Sequence, residues 1–126
     1  MKINADIYIL EPDHATRVEL RSMLEDHFIN IFTFTKGVDF LTAIDNSNSA
    51  TCVVIISSKL LYMNTTDVIN RIKEKPGFKM VPILQIGSEA ELSEKIMGTI
   101  DKPFGQSTIK TINEALSTKP DSSGNS

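Results

Sequence analysis

Apolar residues gather in short continuous runs, and between the runs they recur at helical spacing. Three runs read as strands: Ile7–Leu10, Cys52–Ile56 and Val81–Ile86. The first two are unbroken and rich in β-branched residues, the pattern of a parallel strand covered on both faces. Ile29–Thr35 alternates apolar and polar positions, which predicts a more exposed strand at the outside of the sheet. Thr99–Asp101 is a short fifth candidate.

The intervening segments carry a helical period. Thr16, Leu20, Met23, Leu24 and His27 share one face, and Asp13 is placed to cap that helix. After Gly37, the residues Val38, Leu41 and Ile44 repeat the pattern, and Asp67–Glu74 presents Val68, Ile69 and Ile72. Ser88-Glu89-Ala90-Glu91 has the form of a capping box and opens a short helix carrying Leu92 and Ile96. Ile109, Ile112 and Leu116 mark a last helix starting near Ser107. Strict alternation of strand and helix predicts an α/β three-layer sandwich around a parallel sheet. Right-handed crossovers leave few topologies, and the flavodoxin-like (βα)5 order 2-1-3-4-5 leads among them. Its fourth helix is expected to be shortened.

The length, 126 residues, suits one domain. That domain is expected over residues 1–116. Residues 117–126 hold no apolar side chain and read as a flexible tail or linker. The chain is 40% hydrophobic and 23% charged, which excludes a disordered, collagen-like or coiled-coil chain. The net charge is −3 with no basic stripe, so nucleic acid is not an expected partner. Cys52, the single cysteine, sits inside an apolar run and reads as core. It leaves no internal disulfide and no cysteine-rich zinc site. No segment approaches the ~20 apolar residues of a membrane helix, and Met1–Leu10 lacks the apolar core of a signal peptide. No membrane partner and a cytoplasmic location are therefore expected.

In an open α/β sheet, ligands sit beyond the carboxyl ends of the strands. The loops there carry Glu11-Pro12-Asp13-His14, Ser57-Ser58-Lys59, Gly87-Ser88 and Lys102-Pro103-Phe104. With the elements in this order, roughly residues 4–116 resemble the CheY-like receiver domain of two-component response regulators. Ile-Leu-Glu-Pro-Asp-His-Ala-Thr-Arg at 9–17 is similar to the family's first strand, acidic pair and following arginine. Val53 to Ser57 and Leu60 to Lys73 resemble the third strand, acceptor position and third helix. Val-Pro-Ile-Leu at 81–84 resembles the fourth strand, and Lys-Pro-Phe at 102–104 resembles a signature often preceded by a cis peptide.

The resemblance implies a phosphoryl group taken by an aspartate after the third strand. It also implies a magnesium ion held by that aspartate and the acidic pair, with a hydroxyl residue and a lysine on the phosphoryl oxygens. Such transfer is mostly positioning and charge stabilisation, and magnesium demands hard oxygen ligands in near-octahedral array. Here the acceptor position falls on Ser57, the acidic pair on Glu11-Pro12 and the hydroxyl position on Gly87, with Ser88 one step along. Only Lys102 keeps its identity. A serine hydroxyl is a weak nucleophile without an adjacent base. The chain therefore reads as a degenerate pseudo-receiver, with no cofactor and no metal expected.

Other candidates are weaker. Asp13 reads as a helix cap rather than a replacement metal ligand, though it and Ser88 are retained as minor contributors. His14 and His27 read as surface or helix-face residues. Ser57-Ser58 with His14 is a conceivable hydrolase pair, but no G-x-S-x-G elbow supports it. A Glu11–Lys102 ion pair is expected across the crevice as a structural remnant. The family's aromatic switch position falls on Thr99, and Gly87 to Lys102 leaves room for only one short helix. The expected role is non-enzymatic and independent of phosphate: a protein–protein interaction module whose partner is a histidine kinase, an output domain or another receiver. Two alternatives remain open, a receiver that uses Ser57 or a neighbour as acceptor and a small-ligand binder of flavodoxin-like fold.

Overall fold

The computed structural model describes residues 2–47, 51–87 and 95–117. Its elements are β1 (Ile3–Leu10), α1 (His14–Leu24), β2 (Phe28–Phe34), α2 (Gly37–Asp45), β3 (Cys52–Ser57), α3 (Thr65–Glu74), β4 (Ile83–Ile86), β5 (Gly98–Ile100) and α4 (Gln106–Ser117). The strands form one sheet in the order β2-β1-β3-β4-β5, and every pair is parallel. This is the flavodoxin-like order that the alternating pattern predicts.

The strand pattern explains the layers. Side chains alternate across a sheet, so Ile7 and Ile9 enter one core while Tyr8 and Leu10 enter the other. The first core is closed by Leu20 and Leu24 of α1 and by Ile109, Ile112 and Ala115 of α4. The second is closed by Phe40 and Ile44 of α2 and by Val68, Ile69 and Ile72 of α3. All of β3 is buried, as its unbroken apolar run requires, and Cys52 is 2% exposed. β2 lies at the edge and is mostly half-exposed.

Several boundaries differ from the sequence expectation. β4 starts at Ile83 because Val81 is spent on a turn, its N–H donating to Phe78 O, and Pro82 has no N–H to give. α3 starts at Thr65 because Asn64 caps it, accepting from Thr66 N (2.7 Å) and Asp67 N (3.3 Å). His27 is not on the α1 face: the helix stops at Leu24, and His27 turns the chain, donating its N–H to Leu24 O. Ala115 rather than Leu116 is the fully buried end of the α4 stripe. The helix expected from Ser88 falls on residues 88–94, outside the described ones. Ile96, expected on that helix, instead lies in the extended link into β5 and packs on the second core. The tail expected over 117–126 is outside the described residues from 118 on, and α4 includes Ser117. No helix among the described residues is long and apolar enough to cross a membrane.

Candidate functional site

The carboxyl ends of β1, β3, β4 and β5 lie side by side, since Leu10 pairs Ile56, Ser57 pairs Ile86 and Ile86 pairs Ile100. The loops that follow surround a cleft of about 640 Å³ lined by Glu11, Pro12, Asp13, Ser57, Gly87 and Lys102, among others. The sequence-predicted positions are therefore brought together, apart from Ser88, which is outside the described residues. Thr16, Leu61 and Asp101 also line the cleft, although the sequence marks none of them as a site residue. An acidic residue beside Lys102 at a strand end is the one signal that pointed to Asp101.

The first loop is locked by its own hydrogen bonds. Asp13 caps α1, its Oδ2 accepting from Thr16 N (2.9 Å) and Thr16 Oγ1 (2.6 Å). Those bonds hold the Asp13 carboxyl below its usual pKa. Arg17 Nη1 donates to Glu11 O (2.9 Å) and Pro12 O (3.3 Å), tying the loop back to the helix. The Glu11 side chain folds inward, 5% exposed, and Oε2 accepts from Asp13 N (2.9 Å). Burial pushes the Glu11 carboxyl above its usual pKa, against hydrogen bonds from Asp13 N and the Ser57 hydroxyl and the charge of Lys102.

Ser57 ends β3 and is 5% exposed. Its hydroxyl closes a tight local turn, donating to Lys59 O (3.1 Å) and accepting from Lys59 N (3.1 Å). Gly87 has φ 91°, a conformation that favours glycine, and its carbonyl accepts from the buried Gln85 Nε2 (3.1 Å). Thr99 sits half-buried within β5, paired with Gln85. The Lys102–Pro103 peptide is cis, as the resemblance implies.

Two expected pairings are not formed. The ion pair found within 4.0 Å among the described residues joins Arg21 to Glu25, so Lys102 acts on Glu11 at longer range only. Lys102 is exposed, and water competes for its ammonium group. His14 places Nδ1 3.1 Å from Arg17 Nη2 on the surface of α1, and nothing orients it toward Ser57. His27 lies at the other end of the sheet, where its carbonyl receives Ile3 N.

A magnesium ion does not fit this donor set. Pro12 offers no side-chain oxygen, Asp13 is turned into its cap, and Ser57 is satisfied by Lys59. Glu11 alone presents an inward carboxylate, and burial resists its ionisation. No cluster of three or more carboxylate, imidazole or thiol groups suited to a metal occurs among the described residues.

No family model and no curated protein matches the sequence. Solved structures do match the fold. The chemotaxis response regulator CheY4 of Vibrio cholerae has a TM-score of 0.77 and 20% identity, over 90% of this chain and 100% of that one. A CheY-like response regulator receiver domain from Methylobacillus flagellatus gives 0.76 and 17%, over 90% and 99%. The receiver domain of a Pseudomonas aeruginosa sensor histidine kinase, with magnesium coordinated in its active-site cleft, gives 0.74 and 12%, over 90% and 98%. The chain has the fold of the CheY-like receiver domains.

Proposed function

We propose that this chain is a receiver-like module of two-component signalling that works without phosphorylation, by presenting one constant surface to a signalling protein. The observation that carries the reading is Ser57. It stands at the carboxyl end of β3, where the resemblance puts the phosphoacceptor, and its hydroxyl is buried and spent on the Lys59 turn. Pro12 beside it removes a carboxylate from the loop after β1, and Gly87 and Thr99 remove the hydroxyl and aromatic groups through which the family's two-state switch would act. The partner on this reading is a histidine kinase, an output domain or another receiver.

The test is incubation with a small phosphoryl donor and magnesium, followed by intact mass. The expected result is no adduct and no saturable magnesium binding by calorimetry. One observation favours a second reading, in which Ser57 is itself modified: the Glu11 carboxyl, its pKa raised by burial, lies beside the Ser57 hydroxyl, whose single proton can turn to it in place of Lys59 O, the arrangement of a base beside a nucleophile. An adduct that disappears in Ser57→Ala would establish that reading and overturn the first.

A further inference from the structure

Glu11 follows β1 directly, and its N–H still donates to Phe34 O of β2 (3.0 Å), so the sheet fixes where its side chain starts. That side chain is 5% exposed, yet it lines an open cleft of about 640 Å³. Buried carboxylates are ordinarily matched by a cation or by a full set of hydrogen-bond donors, and Glu11 has neither. It accepts from Asp13 N (2.9 Å) and shares the Ser57 proton with Lys59 O. A carboxylate offers about four acceptor sites, so part of its capacity is left over. Among the described residues, the ion pair within 4.0 Å joins Arg21 to Glu25, and no ammonium or guanidinium group touches Glu11. Lys102 attracts it from longer range, and the Asp13 carboxylate repels it.

A buried carboxylate with no cation against it, at the floor of an open cleft, suits a cation brought from outside. Resting on the reading of a docked signalling protein, we infer that this cleft receives an arginine side chain of that partner, its guanidinium set against Glu11.

The lining selects the group. A divalent ion needs several hard oxygen ligands, and Glu11 is the carboxylate turned inward. A lysine ammonium is compact and holds its water strongly. A guanidinium is planar, more weakly hydrated and carries five N–H donors, so it can pair with Glu11 while its other N–H groups take neutral acceptors. Its stem needs apolar contact. Pro12, Leu61 and Ile86 supply that along the walls, and Leu61 leaves 56% of its surface exposed. The volume falls within the range of about 300–1,000 Å³ typical of sites that enclose a small group. At the rim, Lys59 and Lys102 repel an incoming cation, while Asp13 and Asp101 attract it. Lys102 therefore competes with the arginine for Glu11, and removing its charge should strengthen binding.

The test titrates N-acetyl-arginine amide into the isotope-labelled full chain, without magnesium or phosphoryl donor, and follows backbone amides by NMR. Saturable shifts are expected at Glu11, Asp13, Ser57 and Gly87. The citrulline counterpart, which has the same shape without the charge, should give none, and the lysine counterpart should bind more weakly. Glu11→Gln, shown to be folded by circular dichroism, should weaken arginine amide by about tenfold or more, the worth of a hydrogen bond to a charged group. Lys102→Gln should tighten it by about threefold, as expected for an exposed competing charge. No saturable shift overturns the proposal. So does equal binding of the citrulline amide, an unchanged affinity in Glu11→Gln, or a weaker one in Lys102→Gln. Free arginine that binds more tightly than the amide also overturns it, since the site would then take a small molecule rather than a protein side chain. An adduct in the intact-mass assay would strike the phosphate-independent reading, whereas a failed titration strikes the arginine site alone.

Discussion

Ser57→Asp restores the residue that phosphoryl transfer needs, and its consequence can be worked out from the surroundings. Ser57 and Glu11 are each 5% exposed and share a hydrogen bond, so the new carboxylate would lie roughly 4–5 Å from an existing buried one. Two unit charges at that distance repel by about 3–4 kcal/mol at an effective dielectric of about 20. Protonation of one partner caps the cost, so a net loss on the order of 1–3 kcal/mol at neutral pH is expected. For a chain of this size, each kcal/mol lowers the thermal midpoint by about 3–5 °C. Magnesium should not rescue the single variant, because Pro12 still withholds a ligand. Ser57→Asp with Pro12→Asp supplies three carboxylates beside Lys102. It should melt lower still without metal, rise with magnesium because the ion binds only the folded state, and take phosphate slowly from a small donor. The assay is a thermal melt with and without magnesium, then intact mass after donor treatment. Ready phosphorylation of the single variant would refute the reasoning, since Pro12 would then not be the lesion.

Three further outcomes follow from the geometry. Glu11→Gln removes a carboxyl whose folded pKa lies above its ordinary 4.5 because of burial. The native chain loses stability as pH rises from 4.5 through that raised value, so the variant should be the more stable at neutral pH, with the advantage vanishing below 4.5. An advantage independent of pH in denaturant titrations would contradict this. Tyr62 holds φ 66° with its side chain 97% exposed, so Tyr62→Gly relieves strain and forfeits no burial. A gain of about 0.5–1 kcal/mol is expected once glycine's extra chain entropy is set against the roughly 1–2 kcal/mol relieved, and a measured loss would mean the ring is held by contacts of its own. Asn64→Ala should cost about 1 kcal/mol by uncapping α3, and a neutral result would mean that water replaces the cap fully.

The sheet was legible because burial on both faces writes an unmistakable pattern. Residues 52–56 could not be a half-exposed strand, and alternation in 29–35 could not be a central one. What stayed hidden was local competition for backbone groups. Val81 belongs to an apolar run, yet its N–H is spent on Phe78, and Asn64 looked like any loop asparagine until Thr66 and Asp67 needed an acceptor. The cleft was legible by position, since its residues follow strand ends, but not by conformation. Nothing in Glu11-Pro12-Asp13 says that the glutamate turns inward and the aspartate turns to Thr16. The Glu11–Lys102 pair failed for the same reason: adjacency of loops brings charges near, while solvation of an exposed lysine decides whether they touch.

The cleft residues also constrain one another. A buried Glu11 is held by donation from Asp13 N and the Ser57 hydroxyl, with the exposed Lys102 adding a weaker favourable charge, against the repulsion of the Asp13 carboxylate. Replace Ser57 by a carboxylate and that arrangement fails; replace Pro12 alone and the new carboxylate has no metal complement to join. Each change toward a magnesium site is uphill by itself, and the gain arrives only when both are made and the ion binds. Gly87 adds a third barrier, because its φ of 91° disfavours the serine or threonine that would contact a phosphoryl group there. On the proposed reading, slow phosphotransfer would need the loops after β1 and β3 to change together, and contact of a hydroxyl with the phosphoryl group would need the loop after β4 to change as well. Single substitutions leave the cleft in its present state, with one buried glutamate at its floor.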